Sequence, residues 1–218
     1  MSKGSRSESQ KLPRAVCRNG ELCGGSRHRL CGAGVEPCEC YYTTRQLEWF
    51  KVGRFSDEYA SLTAKSAVAT SGAILDPERL RAWAILLMER KCPPILIERD
   101  VGGVLIPSCL GSYLMLQIAL RFRVWSYTLS DIVHTFFRPN DIVKLNSNLR
   151  DPNFGLMLRI GNDPSHSWNG PSLAEFINQR NETKGPTVIV SDRPLAHVEG
   201  IYTPFSTGLL VRTCARIV

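Results

Sequence analysis

From about residue 103 onward, short apolar runs with strand character alternate with amphipathic helical stretches. Such alternation calls for βαβ crossovers and a mainly parallel sheet with helices on its faces. The strand candidates are Gly103-Val-Leu-Ile106, Arg123-Val-Trp-Ser-Tyr127, Phe154–Ile160, Pro186-Thr-Val-Ile-Val-Ser191 and Leu209–Val218. Between them the helical signals are specific. Asp76-Pro77 offers a capping side chain followed by proline at the first helical position. Leu80, Trp83, Ala84, Leu87 and Met88 then recur at spacings of three and four, up to Cys92-Pro93-Pro94. Ser112–Leu120 is apolar nearly all round and reads as a buried helix. Thr128-Leu-Ser-Asp131 and Ser172-Leu-Ala-Glu175 have the capping-box pattern. Leu129, Ile132, Val133, Phe136 and Phe137 form the stripe that follows the first, and Leu173, Phe176 and Ile177 the second. The expected fold class is α/β.

With 218 residues, 43% apolar and 22% charged, the chain can bury a substantial core, which excludes disorder throughout. No apolar run approaches the ~18–20 residues of a membrane helix. The polar start, Met1-Ser-Lys-Gly-Ser-Arg, lacks the apolar stretch of a signal peptide. A cytoplasmic location without membrane attachment is expected. The net charge of +7 is uneven: residues 1–31 hold seven Lys or Arg against two acids. A basic arm of this kind suits DNA or another acidic partner, or serves as a solubilising tail. The expected organisation is a basic flexible arm (1–16), a Cys-rich module (17–45), a helical linker (46–75) and an α/β domain (76–218).

A strand, a Gly-containing turn and a helix also form the setting of a phosphate-binding loop, where backbone N–H groups and a helix N-terminus face the phosphates. The candidate is Pro107-Ser108-Cys109-Leu110-Gly111-Ser112-Tyr113, with Gly111 at the last Gly of the G-x-x-x-x-G-K-[ST] pattern. Ser112 stands where the pattern has Lys, and Tyr113 where it has the magnesium-binding hydroxyl.

The order of the remaining pieces resembles the AAA+ domain of the DnaC/IstB-type helicase-loader and transposition-helper ATPases. Gly103-Val-Leu-Ile106 resembles their first strand. Ser126-Tyr-Thr-Leu-Ser-Asp-Ile-Val133 resembles the next strand and helix, and Gly155-Leu-Met-Leu-Arg-Ile-Gly161 the Walker B strand. Leu173-Ala-Glu-Phe-Ile-Asn-Gln-Arg180 matches a helix ending in I-x-x-R, and Pro186–Leu195 a sensor strand in which Ser191 and Asp192 hold the sensor positions. The resemblance implies a P-loop NTPase-like (AAA+) five-stranded parallel sheet. It also implies ATP and magnesium as cofactors, with Pro107–Tyr113 and Ser191 as the nucleotide contacts.

Every departure from the family touches chemistry. Leu158 and Arg159 replace the Walker B acids, leaving Asp163 two residues beyond Gly161. Phe205-Ser-Thr-Gly-Leu209 has no Arg where the family supplies its arginine finger, and Arg212 and Arg216 are out of register. Phosphoryl transfer depends on positioned charge, so the expectation is a retained fold with a lost ATPase. Such a pseudo-ATPase would act by binding DNA through the arm and a replicative helicase or a transposase, in replication or transposition, alone or as a homo-oligomer. An active P-loop enzyme with atypical ligands, an ATPase or a kinase, and a structural scaffold subunit are the other readings.

Five of the eight cysteines, Cys17, Cys23, Cys31, Cys38 and Cys40, fall within 24 residues. Two close pairs joined by Gly-rich turns suit tetrahedral zinc, with free thiols as the alternative. The expected ligands are Cys17, Cys23, Cys38 and Cys40, with Cys31 and His28 as substitutes. Some helicase-loader relatives carry an N-terminal zinc module of the form C-x-x-C-G-G…C-x-C that docks the helicase, and Cys23-Gly-Gly and Cys38-Glu-Cys40 resemble its pieces. Cys92, Cys109 and Cys214, beside apolar runs, read as core residues, as do Trp83 and Trp125. His134, His166 and His197 read as surface residues. Tyr41, Tyr42, Trp49 and Phe50, next to Arg45 and Lys51, suit either a helix packed on the core or the stacking of single-stranded bases.

Overall fold

The computed structural model describes residues 28–31, 34–136 and 138–217. The chain divides into two compact units, Met1–Thr44 and Arg45–Val218. In the first, β1 (His28–Cys31) and β2 (Gly34–Pro37) form an antiparallel hairpin with Leu30 opposite Val35. Cys38 follows, buried, at the start of α1 (Glu39–Val52). The arm at 1–16, Cys17 and Cys23 lie outside the described residues.

The second unit is built on five parallel strands: β3 (Ile95–Glu98), β4 (Arg123–Thr128), β5 (Phe154–Ile160), β6 (Thr187–Ser191) and β7 (Ala215–Arg216). Their order across the sheet is β4-β5-β6-β3-β7. Strand residues alternate between faces. Met157, Val188 and Val190 enter one core with Phe50, Leu80, Leu110 and Leu114. Leu156, Leu158 and Ile189 enter the other with Leu129, Phe176 and Leu210. The first core is covered by α2 (Ala64–Ser71), α3 (Pro77–Met88) and α4 (Pro107–Ile118). The second is covered by α5 (Leu129–Phe136), α6 (Pro139–Arg150), α7 (Asn169–Thr183) and α8 (Pro204–Thr213).

Several local signals act as read. Asp76 accepts from the Glu78 N–H at 3.0 Å, with Pro77 at the first helical position. At α5 the capping box closes: Thr128 N–H donates to Asp131 Oδ2 and Asp131 N–H to Thr128 Oγ1. Ser172 plays no such part, since α7 begins at Asn169 and the Ser172 N–H already donates to Trp168 O within the helix. The segment 46–75 is more than a linker, because Phe50, Phe55, Ala64 and Ala67 belong to the first core.

Two strands fall elsewhere than the apolar runs suggest. Gly103–Ile106 is loop: Gly103 turns the chain at φ +70°, and Val104 is 68% exposed. The strand is the preceding Ile95–Glu98, three residues of which are completely enclosed just after Pro93-Pro94. At the C-terminus, Leu209–Thr213 finishes α8, and only Ala215–Arg216 pairs with β3. Three apolar residues in a row fit helix and strand alike, so periodicity does not separate these cases.

The amino end of the sheet is organised by Arg180, a fully buried side chain on α7. Its Nη1 donates to the carbonyls of Leu149 (2.8 Å) and Asp151 (3.1 Å), at the end of α6. Nη2 donates to Phe154 O (2.6 Å), at the start of β5, and Nε to Thr187 Oγ1 (2.9 Å), at the start of β6. Gly185 makes room, since a Cβ there would meet Nη2 at 1.9 Å. Arg180→Ala orphans several buried carbonyls and should cost on the order of 4 kcal/mol. Gly185→Ala should destabilise by displacing the guanidinium. Urea unfolding midpoints check both, and losses below ~1 kcal/mol would contradict this role.

Candidate functional site

The chain leaves β3 through α4 toward β4 at one edge, and leaves β6 through α8 toward β7 at the other. Open α/β sheets hold their ligands at such a switch point, outside the carboxyl ends of the strands. The crevice there is formed by Glu98-Arg99-Asp100 after β3, Ser191-Asp192-Arg193 after β6 and Gly161-Asn162-Asp163 after β5.

The segment that follows β3 is Arg99–Ile106, and four of its backbone N–H groups donate within the protein. Arg99 N–H donates to Ser191 O (2.9 Å), Gly103 N–H to Asp100 O (3.0 Å) and Ile106 N–H to Ser71 O (2.8 Å). Leu105 N–H donates to the Asp100 carboxylate at 2.7 Å. The Arg99 guanidinium closes the turn on Gly103 O. A carboxylate of the chain itself thus takes a backbone donor that an anion-binding loop would offer to a phosphate. Beside it, Glu98 pairs with Arg216 of β7 and accepts from Leu195 N–H.

The nucleotide contacts read from the sequence lie at the start of α4, after the Arg99–Ile106 loop. Pro107–Tyr113 forms the first two turns of α4, and all but half-buried Ser108 are buried. Gly111 is a packing glycine there: a Cβ would lie 2.6 Å from Val190 Cγ2 of β6. Pro107, at the first helical position, brings no N–H at all. Ser191 does reach the crevice, where its hydroxyl donates to Arg193 O.

At the Walker B position, Arg159 is exposed. Asp163 is saturated, since Oδ1 accepts from the N–H (3.0 Å) and hydroxyl (2.9 Å) of Ser130, and Oδ2 from the Tyr202 hydroxyl (2.6 Å). Tyr202 in turn receives the Gly161 N–H. Burial and the bond to Asp163 push the Tyr202 phenol well above its ordinary range. Burial also raises the Asp192 carboxyl, whose Oδ2 accepts from Asn162. With Glu98, Asp100 and Asp163 so engaged, these residues do not fit an ATP–magnesium group.

Of the zinc ligands expected, Cys38 and Cys40 are described, buried and half-buried beside one another. Among the described residues no three His, Cys, Asp or Glu side chains converge as a metal site. Cys92 and Cys214 are shielded thiols that burial pushes up to about 11. His134, His166 and His197 are exposed. No helix among the described residues is long and apolar enough to cross a membrane.

A five-stranded parallel sheet in this order, with helices on both faces, is the P-loop-type α/β fold of AAA+ proteins. The solved structure of DnaI shares it, with a TM-score of 0.53 and 12% identity, over 75% of this chain and 90% of that one. AMPPCP-bound DnaA from Aquifex aeolicus is also similar, with a TM-score of 0.48 and 15% identity, over 65% of this chain and 45% of that one. The likeness is one of fold, and it agrees with the resemblance read from the motifs. No family model and no curated protein matches the sequence.

Glu98 and Asp100 escape a reading that takes Gly103–Ile106 as the first strand, since the strand lies eight residues earlier, and Tyr202 carries no local sign of its bond to Asp163. The Asp100-Val-Gly-Gly103 turn right after an enclosed apolar triplet was the available signal. In Asp100→Ala the Leu105 amide loses its acceptor, so its hydrogen exchange should accelerate at least tenfold while core amides keep their protection. Unchanged exchange at Leu105 would mean that Asp100 does not hold the loop.

Proposed function

We propose that this chain is a helicase-loader-like AAA+ protein that has lost nucleotide turnover and acts by binding DNA and a partner helicase. The internal bonding of the crevice carboxylates carries the reading. Where a motor of this fold needs donors for a triphosphate and carboxylates for magnesium, this chain presents Asp100 bonded to the loop and Asp163 bonded to Ser130 and Tyr202. A net charge of +7, concentrated in residues 1–31, favours a nucleic-acid partner.

Purified protein should bind ATP more weakly than about 1 mM, with or without magnesium, and show no hydrolysis above a blank. It should bind single-stranded DNA with an affinity that falls steeply with salt. Micromolar, magnesium-dependent ATP binding would favour the active-enzyme reading instead, and loss of all DNA binding would favour a scaffold.

The N-terminal unit is proposed as the helicase or transposase docking module, with zinc held by Cys17, Cys23, Cys38 and Cys40. Thiolates in two close pairs are the donor set that structural zinc takes, and the adjacent Cys38 and Cys40 supply one such pair. Metal analysis of the purified protein should find about one equivalent of zinc, reduced in Cys38→Ser. Less than half an equivalent in the unaltered protein would end the zinc proposal.

A further inference from the structure

A second concave site lies away from the crevice. It is a cleft of about 410 Å³ beside edge strand β4, walled by α5 and α6 and lined by Arg54, Trp125, Tyr127, His134 and Lys144 among others. That volume is within the range of small-ligand sites.

Its floor is aromatic and its rim is cationic. The Trp125 ring has the Arg54 guanidinium carbon 5.3 Å and the Lys144 Nζ 6.0 Å from its centroid. Tyr127 lies beside it, ring centroids 6.3 Å apart, with its hydroxyl accepting from Asn148. Neither Arg54 nor Lys144 has an ion-pair partner among the described residues, and both are exposed. The one acid on the lining, Asp131, is committed to the cap of α5. The indole Nε1 of Trp125 is buried without a hydrogen-bond acceptor, and a buried donor left unpaired calls for an explanation.

Arg54 lies just past the end of α1, where a left-handed residue terminates the helix. It is one of three non-glycine residues with positive φ among those described, at +67°. A left-handed backbone in a non-glycine residue persists only where its surroundings hold it. Here Gly53 does so: its carbonyl accepts the Ser126 N–H of β4 at 2.8 Å. Gly53 is also so close to that strand that a Cβ would lie 2.3 Å from Val124 O. The turn is thus pinned to the edge strand, and the Arg54 side chain is held at the Trp125 ring.

We propose that this cleft binds a phosphorylated nucleoside unit, with the base against Trp125 and the phosphate held by Arg54 and Lys144. An aromatic floor carrying two cations that have no ion-pair partner among the described residues matches a base and its phosphate, the cations moving from the ring to the phosphate as the base stacks. A sugar phosphate would not need the indole, and an acidic peptide would not need the flat aromatic floor. The unit can belong to a single strand or be a free nucleotide. The proposal takes its ligand class from the DNA-binding reading above and places the contact on the α/β unit, apart from the N-terminal arm.

The test measures binding of a fluorescent dT12 by anisotropy at several salt concentrations, with dTMP as competitor. The variants are Lys144→Ser, Arg54→Ser and Trp125→Leu, each compared with the unaltered protein by circular dichroism and urea midpoint. Trp125→Leu should weaken dT12 binding roughly tenfold, the loss of one stacked base. Lys144→Ser, at an exposed position, should weaken binding and flatten the slope of log K against log salt by about one. Competition by dTMP at millimolar concentration would identify the free nucleotide as a second source of the same ligand. If dT12 binds the unaltered protein and all three variants alike, the cleft is not the site, while the DNA-binding reading stands. If the unaltered protein binds neither dT12 nor dTMP, both fail.

Discussion

The guanidinium of Arg180 holds the amino end of the sheet together. Removing a cation from water is expensive, and burial lowers this one to about 10, so it stays protonated near neutrality. What compensates is a planar fork of donors set among carbonyls that would otherwise be orphaned where α6 ends and β5 begins. A lysine could not reach the same set with a single ammonium group. The contact ties the end of α6 and the starts of β5 and β6 to one side chain of α7. It also gives a physical reason for an arginine at the end of α7 and a glycine five residues later.

The opposite, carboxyl end of the sheet shows the same economy applied to a different outcome. Three carboxylates there are engaged from within. Asp100 takes the Leu105 N–H, Glu98 takes Arg216 and the Leu195 N–H, and Asp163 takes Ser130 and Tyr202. Buried donors and acceptors rarely stay unpaired, and these carboxylates find their partners inside the chain. On the flank, Arg54 and Lys144 lie over the Trp125 ring without an ion-pair partner among the described residues.

Most helices were legible because their signals are local. Asp76-Pro77 and Thr128–Asp131 cap as their side chains dictate, and the stripes behind them meet the core. The strands at 123–128, 154–160 and 187–191 were legible for a similar reason, since buried parallel strands are short continuous apolar runs bounded by turns. The first strand was not. Ile95-Leu-Ile97 and Val104-Leu-Ile106 are equivalent as apolar triplets, and only the neighbours β6 and β7 select the former. That one displacement moved the phosphate loop onto α4 and hid Glu98 and Asp100.

The sequence by itself determined the α/β class and the parallel sheet, because the periodicity of apolar residues and the capping signals carry that information locally. Tertiary structure alone decided which triplet pairs in the sheet, that Asp100 fills its own loop, and that Arg54 meets Trp125 across about seventy residues. Those outcomes depend on distances between segments far apart in the chain, and hydrogen bonds and ring contacts form only once the fold brings such segments within a few ångströms.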